Sequence, residues 1–399
     1  MSILSWVLVV AICAGQLIKI SFGEGGITIL DLTVGFLAII NFFSWITSVK
    51  TFKINLINFS TMGFIIAAVV SLILSPIHLT ANEKLIAASY IVRLGAFFSL
   101  LWFPSKLLSP LQKDSTKILL FSGVIIAVLG IAQLTFFPDL QFLAAANFDP
   151  HYLRTVSTFL DPNFTGAFLS LTAIILWPKL FTKDTFKSNV WIFILIYITL
   201  LTTFSRGGYL SLVSGLLIIS LINKSFKQVL LTIVLGAILL FSFQQYTLQV
   251  AAPRKIDRAQ SAAARLDTWQ QGWNLFQRYP ILGVGFNAYR YALKQLNLAD
   301  EQFLSKKGAS TNDSSLLYVA ATTGIIGLGF YLSFLGGILK LGWYKISHLG
   351  GMILIGGLIA LLSQGFFANT LFYPFLLIWI ILIIYSVGTE GLEPPTSAM

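Results

Sequence analysis

The segment that decides the fold is a polar interruption in an otherwise apolar chain. It covers residues 244–313 and reads QQYTLQVAAPRKIDRAQSAAARLDTWQQGWNLFQRYPILGVGFNAYRYALKQLNLADEQFLSKKGASTND. Its nine basic residues outnumber its five acidic ones: Arg254, Lys255, Arg258, Arg265, Arg278, Arg290, Lys294, Lys306 and Lys307 against Asp257, Asp267, Asp300, Glu301 and Asp313. A cationic balance of this kind predicts an anionic substrate.

The chain as a whole has the composition of a membrane protein. Of its 399 residues, 56% are hydrophobic and only 10% are charged, whereas about a quarter of residues are charged in soluble domains. We therefore predict a single polytopic membrane domain over residues 1–399. The net charge of +11 comes largely from Lys in short connections, which indicates orientation in a bilayer and argues against nucleic-acid binding. A lone Cys13 excludes a disulfide within the chain and a cysteine metal cluster.

Apolar stretches of about the twenty residues needed to cross a bilayer recur along the chain. They predict an all-α architecture with twelve transmembrane helices, over residues 3–20, 27–49, 56–79, 85–105, 118–137, 163–182, 189–204, 207–223, 228–243, 315–339, 350–367 and 370–387. Lys residues concentrate after the even-numbered helices. The positive-inside rule then predicts that both termini are cytoplasmic and that residues 244–313 form a large loop on the outer side of the cytoplasmic membrane. Residues 386–399 are predicted to be a disordered tail.

Two ionisable residues fall inside predicted helices, Asp31 in the second and Arg93 in the fourth. Such groups cost about 2.5–3.5 kcal/mol at the centre of a span, so they usually face a partner or a wet cavity. Two alternatives stay open for Asp31 and Arg93. They form a structural pair or lie at the interface, or they bind substrate directly.

Residues 151–166 read HYLRTVSTFLDPNFTG and precede an apolar stretch. Pro162 fits the start of a helix, with Asp161 or Asn163 as its cap, and backbone N–H groups left free there would suit a phosphate. Capping alone is the alternative for Asp161 and Asn163. Arg154 is harder to explain by capping, so Arg154 and Asn163 are candidate substrate-binding residues.

Residues 202–209 read TTFSRGGY and connect two predicted helices almost without a loop. Arg206 lies at the tip of this turn, and the two glycines after it let another group approach the backbone. The arrangement is suited to holding an anionic headgroup, although an interfacial anchor is the alternative.

Large apolar residues within the insertion recur at helical spacing: Leu266, Trp269, Trp273 and Phe276. They predict an amphipathic helix over 259–278 that lies on the membrane surface or packs over the spans. Arg265 stands one turn before Trp269 and borders the apolar stripe. Arg258 and Trp269 are further candidate substrate-binding residues, although a surface helix alone would explain Arg258. Residues 312–315, NDSS, are predicted to cap the next membrane helix.

Together these motifs resemble the O-antigen ligase and polysaccharide polymerase superfamily, which are membrane glycosyltransferases that use undecaprenyl-diphosphate-linked glycans. The motifs that carry the resemblance are Arg154 with Thr158-Phe159 and Pro162-Asn163, the Ser205-Arg206-Gly207 turn, Arg265 with Trp269, residues 279–285, residues 312–316, and Gly324-Ile325-Ile326-Gly327. The resemblance implies a GT-C-like helical fold and a metal-independent, inverting enzyme without a cofactor, in which Arg206 and Arg265 hold the lipid diphosphate. It implies as partners a glycan donor, a glycan acceptor, the bilayer and a chain-length regulator.

One departure from the family bears on the reaction. Ligases of the family carry His followed by Asn at the positions of Asn312 and Asp313, and this chain has no His there. We therefore favour polymerisation of repeat units over ligation to a lipid core. Asn312 and Asp313 stay candidate catalytic residues, with helix capping as the alternative for Asp313. A transporter of the same lipids and a non-catalytic scaffold are the rivals from other classes.

Overall fold

The apolar segments fold into helices, because backbone groups inside a bilayer have no water to bond and must satisfy one another. The computed structural model describes residues 1–22, 25–47, 55–103, 106–146, 148–182, 186–254, 260–305 and 307–388. In chain order its elements are α1 Ile3–Ala14, β1 Lys19–Phe22, β2 Gly25–Thr28, α2 Ile29–Thr47, α3 Leu56–Ile73, α4 Ala81–Trp102, α5 Ser109–Phe136, α6 Pro162–Leu176, α7 Phe186–Thr203, α8 Arg206–Ile222, α9 Phe226–Tyr246, α10 Gln260–Arg278, α11 Tyr289–Gln295, α12 Glu301–Leu304, α13 Ser315–Tyr344, α14 Leu349–Gly365 and α15 Pro374–Val387.

An apolar helix lies at each of the twelve positions where the sequence predicts a membrane span. Within the described ranges, seven segments are long and apolar enough to cross a bilayer: Ile29–Thr47, Leu56–Ile73, Ala81–Trp102, Ser109–Phe136, Pro162–Phe181, Phe226–Ala251 and Gly308–Tyr344. The other five positions hold shorter apolar helices, of 10–17 residues. The chain is therefore an integral membrane protein, and the full count of twelve spans stays a prediction. The last helix continues to Val387, two residues into the predicted tail, and residues 389–399 lie outside the described residues.

The first predicted span is wrong at its C-terminal end, because α1 stops at Ala14 and not at residue 20. Gly15 follows with φ 57°, and a Cβ there would overlap the carbonyl group of Thr158. The N–H of Gln16 donates to that same carbonyl at 2.8 Å. The chain then forms the antiparallel hairpin β1–β2, in which Lys19 pairs with Thr28. This hairpin is the exception to the predicted all-α fold.

Small residues bring α6, α8 and α14 into close contact, as is usual where membrane helices pack through their backbones. A Cβ at Gly208 would stand 3.0 Å from the Cα of Gly166, and one at Gly215 would stand 2.9 Å from the carbonyl oxygen of Gly356. Ser170 adds a hydrogen bond of 2.7 Å from its hydroxyl to the carbonyl of Gly208. The start of α8 is therefore fixed against the start of α6.

Helix α13 is interrupted at Gly324, whose φ of 63° and ψ of −164° are not helical. The chain that follows α10 fills the interruption. Val284 donates its N–H to the carbonyl of Ala321 at 2.9 Å, and Ile325 donates to Pro280 at 2.8 Å. These bonds satisfy the backbone groups that the break exposes, as a membrane protein requires.

The span predicted over residues 315–339 is therefore present as part of α13, with an interruption at Gly324 that the sequence did not predict. A Cβ at Gly324 would overlap the carbonyl of Ile281, so the position requires glycine both for its backbone angle and for the close approach. Ser71 of α3 reinforces the junction, because its hydroxyl lies 2.5 Å from the carbonyl oxygen of Leu282 and 2.6 Å from that of Thr322.

Connections that follow every second predicted span gather at one end of the bundle. His78, after α3, exchanges two hydrogen bonds with the Gln295 side chain of the insertion, at 3.0 and 3.3 Å. Arg154, after α5, reaches the turn between α7 and α8. The amphipathic helix predicted over 259–278 is present as α10, which packs on α13 at this end. The candidate site residues are thereby assembled from distant parts of the chain.

Candidate functional site

The turn between α7 and α8 places Arg206 at the first position of α8. Phe204 adopts a left-handed backbone with φ 46°, and its ring stacks on Tyr246 with centroids 4.1 Å apart. Ser205 caps α8 by accepting the N–H of Gly208 at 3.1 Å. The turn is therefore held on both sides of Arg206, whose own side chain is exposed.

Arg154 donates hydrogen bonds to the backbone of this turn. The side chain is buried, its Nε donates to the carbonyl of Thr203 at 2.9 Å and its Nη2 to the carbonyl of Phe204 at 3.2 Å. These bonds go to the two residues before the cap of α8. The described contacts of Arg154 are therefore those of a group that positions Arg206, whereas the sequence analysis treats it as a substrate-binding residue.

The start of α6 is capped by Asp161, one of the two alternatives from the sequence. Its carboxylate accepts the N–H groups of Asn163 at 2.6 Å and Phe164 at 3.1 Å. Burial raises the pKa of the Asp161 carboxyl, while these two N–H groups lower it. Asn163 accepts a bond from the Ser205 hydroxyl at 2.9 Å, and its carbonyl accepts one from Gln364 at 2.9 Å. Asn163 therefore ties α6 to α8 and α14, and the cap occupies the N–H groups that would suit a phosphate.

Arg206 and Arg265 line a single cavity of about 360 Å³ between α8 and α10, which we call the arginine cavity. Its other walls are mainly apolar: Gly207, Leu210, Leu266, Trp269 and Phe367. The rings of Trp269 and Phe367 lie 5.8 Å apart, and the Arg206 guanidinium lies 5.7 Å from the Phe243 ring centroid. The buried indole N–H of Trp269 has no hydrogen-bond partner within the described ranges. The cavity thus combines two cations with an apolar wall.

Asp313 stands beside this cavity and does not cap a helix. The cap of α13 is Ser314, whose hydroxyl accepts the N–H of Leu317 at 3.4 Å, so the capping role expected for Asp313 is wrong. The Asp313 carboxylate instead accepts the hydroxyl of Thr268 at 3.2 Å. Burial raises its pKa, and the positive charge of Arg265 and the bond from Thr268 lower it. Asp313 is thus a partly buried carboxylate close to a guanidinium.

Asn312 has a different environment, although it is adjacent in sequence. The residue is fully buried, and its amide group donates to the carbonyl of Thr268 and to the Tyr289 hydroxyl, the latter at 2.9 Å. Its Oδ1 accepts the N–H of Ser314 at 2.8 Å. Its polar atoms all have protein partners, so Asn312 joins α10 to the start of α13. Its contacts are those of a structural residue.

Asp31 and Arg93 form an ion pair, which is one of the two alternatives that the sequence left open for these residues. Arg93 Nη1 lies 3.8 Å from Asp31 Oδ2, and that same oxygen accepts two bonds of 2.9 Å from the N–H and hydroxyl of Thr28. Arg93 also lies over the Tyr90 ring, 4.5 Å from its centroid. Of the remaining candidates, Arg258 lies outside the described residues.

A second, larger cavity has a volume of about 670 Å³, and we call it the large cavity. Its polar and charged walls come from six separate stretches of the chain: Gln16, Lys19, Thr28, Tyr90, Arg93, Asp149, Asp161, Asn287, Ser305, Thr311, Tyr318, Asn369 and Tyr373. Most of these residues were not predicted from the sequence. The spacing of Tyr90 and Arg93, one helical turn apart, was the local signal that associates Tyr90 with a polar site.

The described residues contain no group of three or more His, Cys, Asp or Glu side chains that could hold a metal ion. The positive charge at the arginine cavity is supplied by the guanidinium groups of Arg206 and Arg265.

The apolar helices and the cavity lined by Arg206 and Arg265 define an integral membrane protein with a cationic cavity at one end of its bundle. Residues 191–332 match the family model described as O-antigen ligase. This segment extends from α7 to the second half of α13 and contains Arg206, Arg265, Trp269 and Asp313. The match confirms the resemblance to the O-antigen ligase and polymerase superfamily, whose members are glycosyltransferase-like enzymes. Comparison with curated proteins gives no match.

Proposed function

We propose that the protein is a membrane glycosyltransferase that joins undecaprenyl-diphosphate-linked repeat units into a surface polysaccharide. The observation that carries the proposal is the arginine cavity. Arg206 and Arg265 are about sixty residues apart in sequence, yet both line it, and both fall in the segment that matches the O-antigen ligase family.

The arginine cavity suits a lipid diphosphate. Guanidinium groups bind phosphate oxygens through paired hydrogen bonds, and such charge-assisted bonds are the strong ones. Leu210, Leu266 and Phe367 supply an apolar wall next to the charges, which fits the first units of a polyprenyl chain. As the sugar–phosphate bond breaks, negative charge grows on the leaving diphosphate, and Arg206 and Arg265 stabilise it there.

Asp313 is the proposed base. The acceptor hydroxyl attacks the anomeric carbon of the donor sugar, the bond from that carbon to the phosphate oxygen breaks, and the diphosphate leaves with the electron pair. The hydroxyl proton passes to the Asp313 carboxylate. Burial raises the pKa of Asp313 and so makes it a better proton acceptor, while the Arg265 charge favours its ionised form.

The other candidates take supporting roles in this proposal. Arg154, Asn163 and Asn312 position the site, through their bonds to the α7–α8 turn, to Ser205 and to α10. The Asp31–Arg93 pair belongs to the wall of the large cavity. The lysine-rich connections support a placement in which both cavities face the exterior of the cytoplasmic membrane.

Ligation of the finished glycan to a lipid core is the second candidate, and the description of the matching family model favours it. The absence of His at positions 312 and 313 favours polymerisation, because ligases of the family carry His there. A chain-length regulator is a partner of the polymerase alternative only.

Reconstitution tests the proposal. The purified protein in liposomes receives an undecaprenyl-diphosphate oligosaccharide of one repeat unit, and the products are separated by size. Longer lipid-linked glycan is the expected result, and transfer only when a lipid A core is added indicates ligation. Arg206→Ala and Arg265→Ala are expected each to lower turnover by about a hundredfold or more, as loss of one preorganised donor does.

Arg278→Ala is the matched control for these substitutions. Arg278 lies in the same helix as Arg265, at its last residue, and is exposed outside the arginine cavity. Turnover near the wild-type rate in both Arg206→Ala and Arg265→Ala would remove the basis of the proposal.

A further inference from the structure

We infer that the large cavity binds the acceptor glycan, so that donor headgroup and acceptor sugars occupy separate cavities with Asp313 between them. This inference rests on the proposed function and names the second substrate site of the same enzyme. The ligand class is a neutral or zwitterionic oligosaccharide, bound through its hydroxyl groups and ring faces.

The two cavities differ in the balance of charged residues in their walls. The described walls of the arginine cavity contain two cations and no acid. Those of the large cavity contain Lys19 and Arg93 against Asp149 and Asp161, and Arg93 is in addition paired with Asp31. The large cavity therefore does not attract a diphosphate electrostatically, and it does not repel a glycan without strong charge.

The walls have the chemistry that sugars require. Aromatic side chains offer apolar faces for sugar rings: Tyr90, Phe97, Phe148, Phe159, Phe164, Phe286, Phe303, Tyr318, Phe372 and Tyr373. Amide and carboxylate groups of Asn287, Asn369, Asp149 and Asp161 lie among them and can bond hydroxyl groups. A volume of about 670 Å³ falls within the range of about 300–1,000 Å³ of small-ligand sites.

Three residues of the wall, Gln16, Asn369 and Tyr373, each have a buried polar side-chain atom without a hydrogen-bond partner among the described residues. The Oδ1 of Asn369 is buried, yet it accepts no hydrogen bond from any described residue. Buried polar groups are nearly always hydrogen-bonded, so an unsatisfied acceptor beside a cavity indicates a donor that arrives with water or ligand. A sugar hydroxyl is a donor of this kind.

Asp313 lies close to both cavities, because its carboxylate accepts the hydroxyl of Thr268, the neighbour of Trp269 in the wall of the arginine cavity. Its pKa is lowered by the charge of Arg265, which lines the arginine cavity, and raised by that of Asp149, which lines the large one. Thr311, two residues before Asp313, is part of the wall of the large cavity. An acceptor hydroxyl that enters from the large cavity would therefore come close to the proposed base.

Gly308 offers a way to fill the large cavity. It lines the cavity, and a Cβ placed on it meets open space, so Gly308→Trp adds an indole without an initial clash. Gly329→Trp is the matched control, because Gly329 lies on α13 away from both cavities and its Cβ also meets open space. Asn369→Ala is a second variant, which removes one unsatisfied acceptor without filling the cavity.

Two probes separate the sites in purified protein. The first is undecaprenyl diphosphate without sugars, and the second is a lipid-free oligosaccharide of two to four repeat units, released by mild acid from the polysaccharide of the producing cell. Gly308→Trp and Asn369→Ala are expected to weaken oligosaccharide binding about tenfold or more, which corresponds to the loss of one or two hydrogen bonds. Undecaprenyl diphosphate binding is expected to stay at the wild-type value in both variants, and Gly329→Trp is expected to leave both affinities unchanged.

The inference is overturned if the wild-type protein does not bind the oligosaccharide, if Gly308→Trp binds it as tightly as the wild type, or if Gly308→Trp loses undecaprenyl diphosphate together with the oligosaccharide. The proposed function fails separately. A wild-type protein that binds oligosaccharide in the large cavity but does not bind undecaprenyl diphosphate contradicts the donor assignment and leaves the glycan site in place.

Discussion

Replacement of Arg154 by Met tests whether this residue positions the turn between α7 and α8 or touches the substrate. The substitution keeps a long side chain but removes both hydrogen bonds to the carbonyls of Thr203 and Phe204. A hydrogen bond from a charged group contributes about 1.5–3 kcal/mol, so we expect the free energy of unfolding to fall by about 3–6 kcal/mol. With about 2.1 cal/mol/K of unfolding entropy per residue, Tm falls by about 4–7 °C in a chain of 399 residues.

The assay is thermal unfolding of the purified protein in detergent, without any substrate, followed by turnover below the transition. Arg206 lies two residues after Phe204, so a turn that is no longer held by Arg154 displaces the Arg206 guanidinium. A displacement of about 1 Å can lower turnover about a hundredfold. Arg154→Lys keeps one charged donor group and is expected to give a smaller change in both quantities. Arg278→Met serves as the exposed control.

If Arg154→Met unfolds at the wild-type Tm and yet loses binding of undecaprenyl diphosphate, then Arg154 contacts the substrate directly and the positioning role is refuted.

Three further predictions concern Asp313, Asp161 and Gly324. Asp313→Asn is expected to abolish turnover but to preserve undecaprenyl diphosphate binding, and wild-type turnover should decline as pH falls through the raised pKa of Asp313; a pH profile that is flat down to the ordinary Asp range contradicts the base assignment. Because burial raises the folded-state pKa of Asp161, the wild-type protein loses stability as pH rises above the unfolded pKa of Asp, so Asp161→Asn, which still caps α6, should raise Tm at pH 8 and lose this advantage towards pH 4. Gly324→Ala places a Cβ in overlap with the Ile281 carbonyl, at a φ of 63° and ψ of −164° that cost a residue other than glycine about 1–3 kcal/mol. It should reduce the folded yield by size-exclusion chromatography, whereas Gly329→Ala should not.

The features that sequence alone predicts are local or compositional. Hydropathy over about twenty residues indicates a membrane helix, and an apolar helix lies at every predicted position. The spacing of Leu266, Trp269, Trp273 and Phe276 indicated an amphipathic helix, which is present as α10. These signals depend only on neighbours in the chain, so they are readable before the fold is known.

Other features depend on contacts between distant residues. Whether Asp313 or Ser314 caps α13 was decided by Thr268, which bonds the Asp313 carboxylate from another helix. Whether α13 breaks was decided by residues 280–284, which supply hydrogen bonds to its open backbone. Arg154 and Arg206 have the same side chain, yet one is buried against carbonyls and the other lines a cavity.

The sequence by itself determined that the chain lies in a membrane, where its helices fall, and that cationic residues collect in one insertion, because hydrophobicity and charge are properties of the residues themselves. Only the tertiary structure decided which cations share a cavity, which are used to hold the backbone, and that a second cavity exists at all. A cavity belongs to no single segment. Its walls come from residues between positions 16 and 377, and the packing of the bundle alone brings them together.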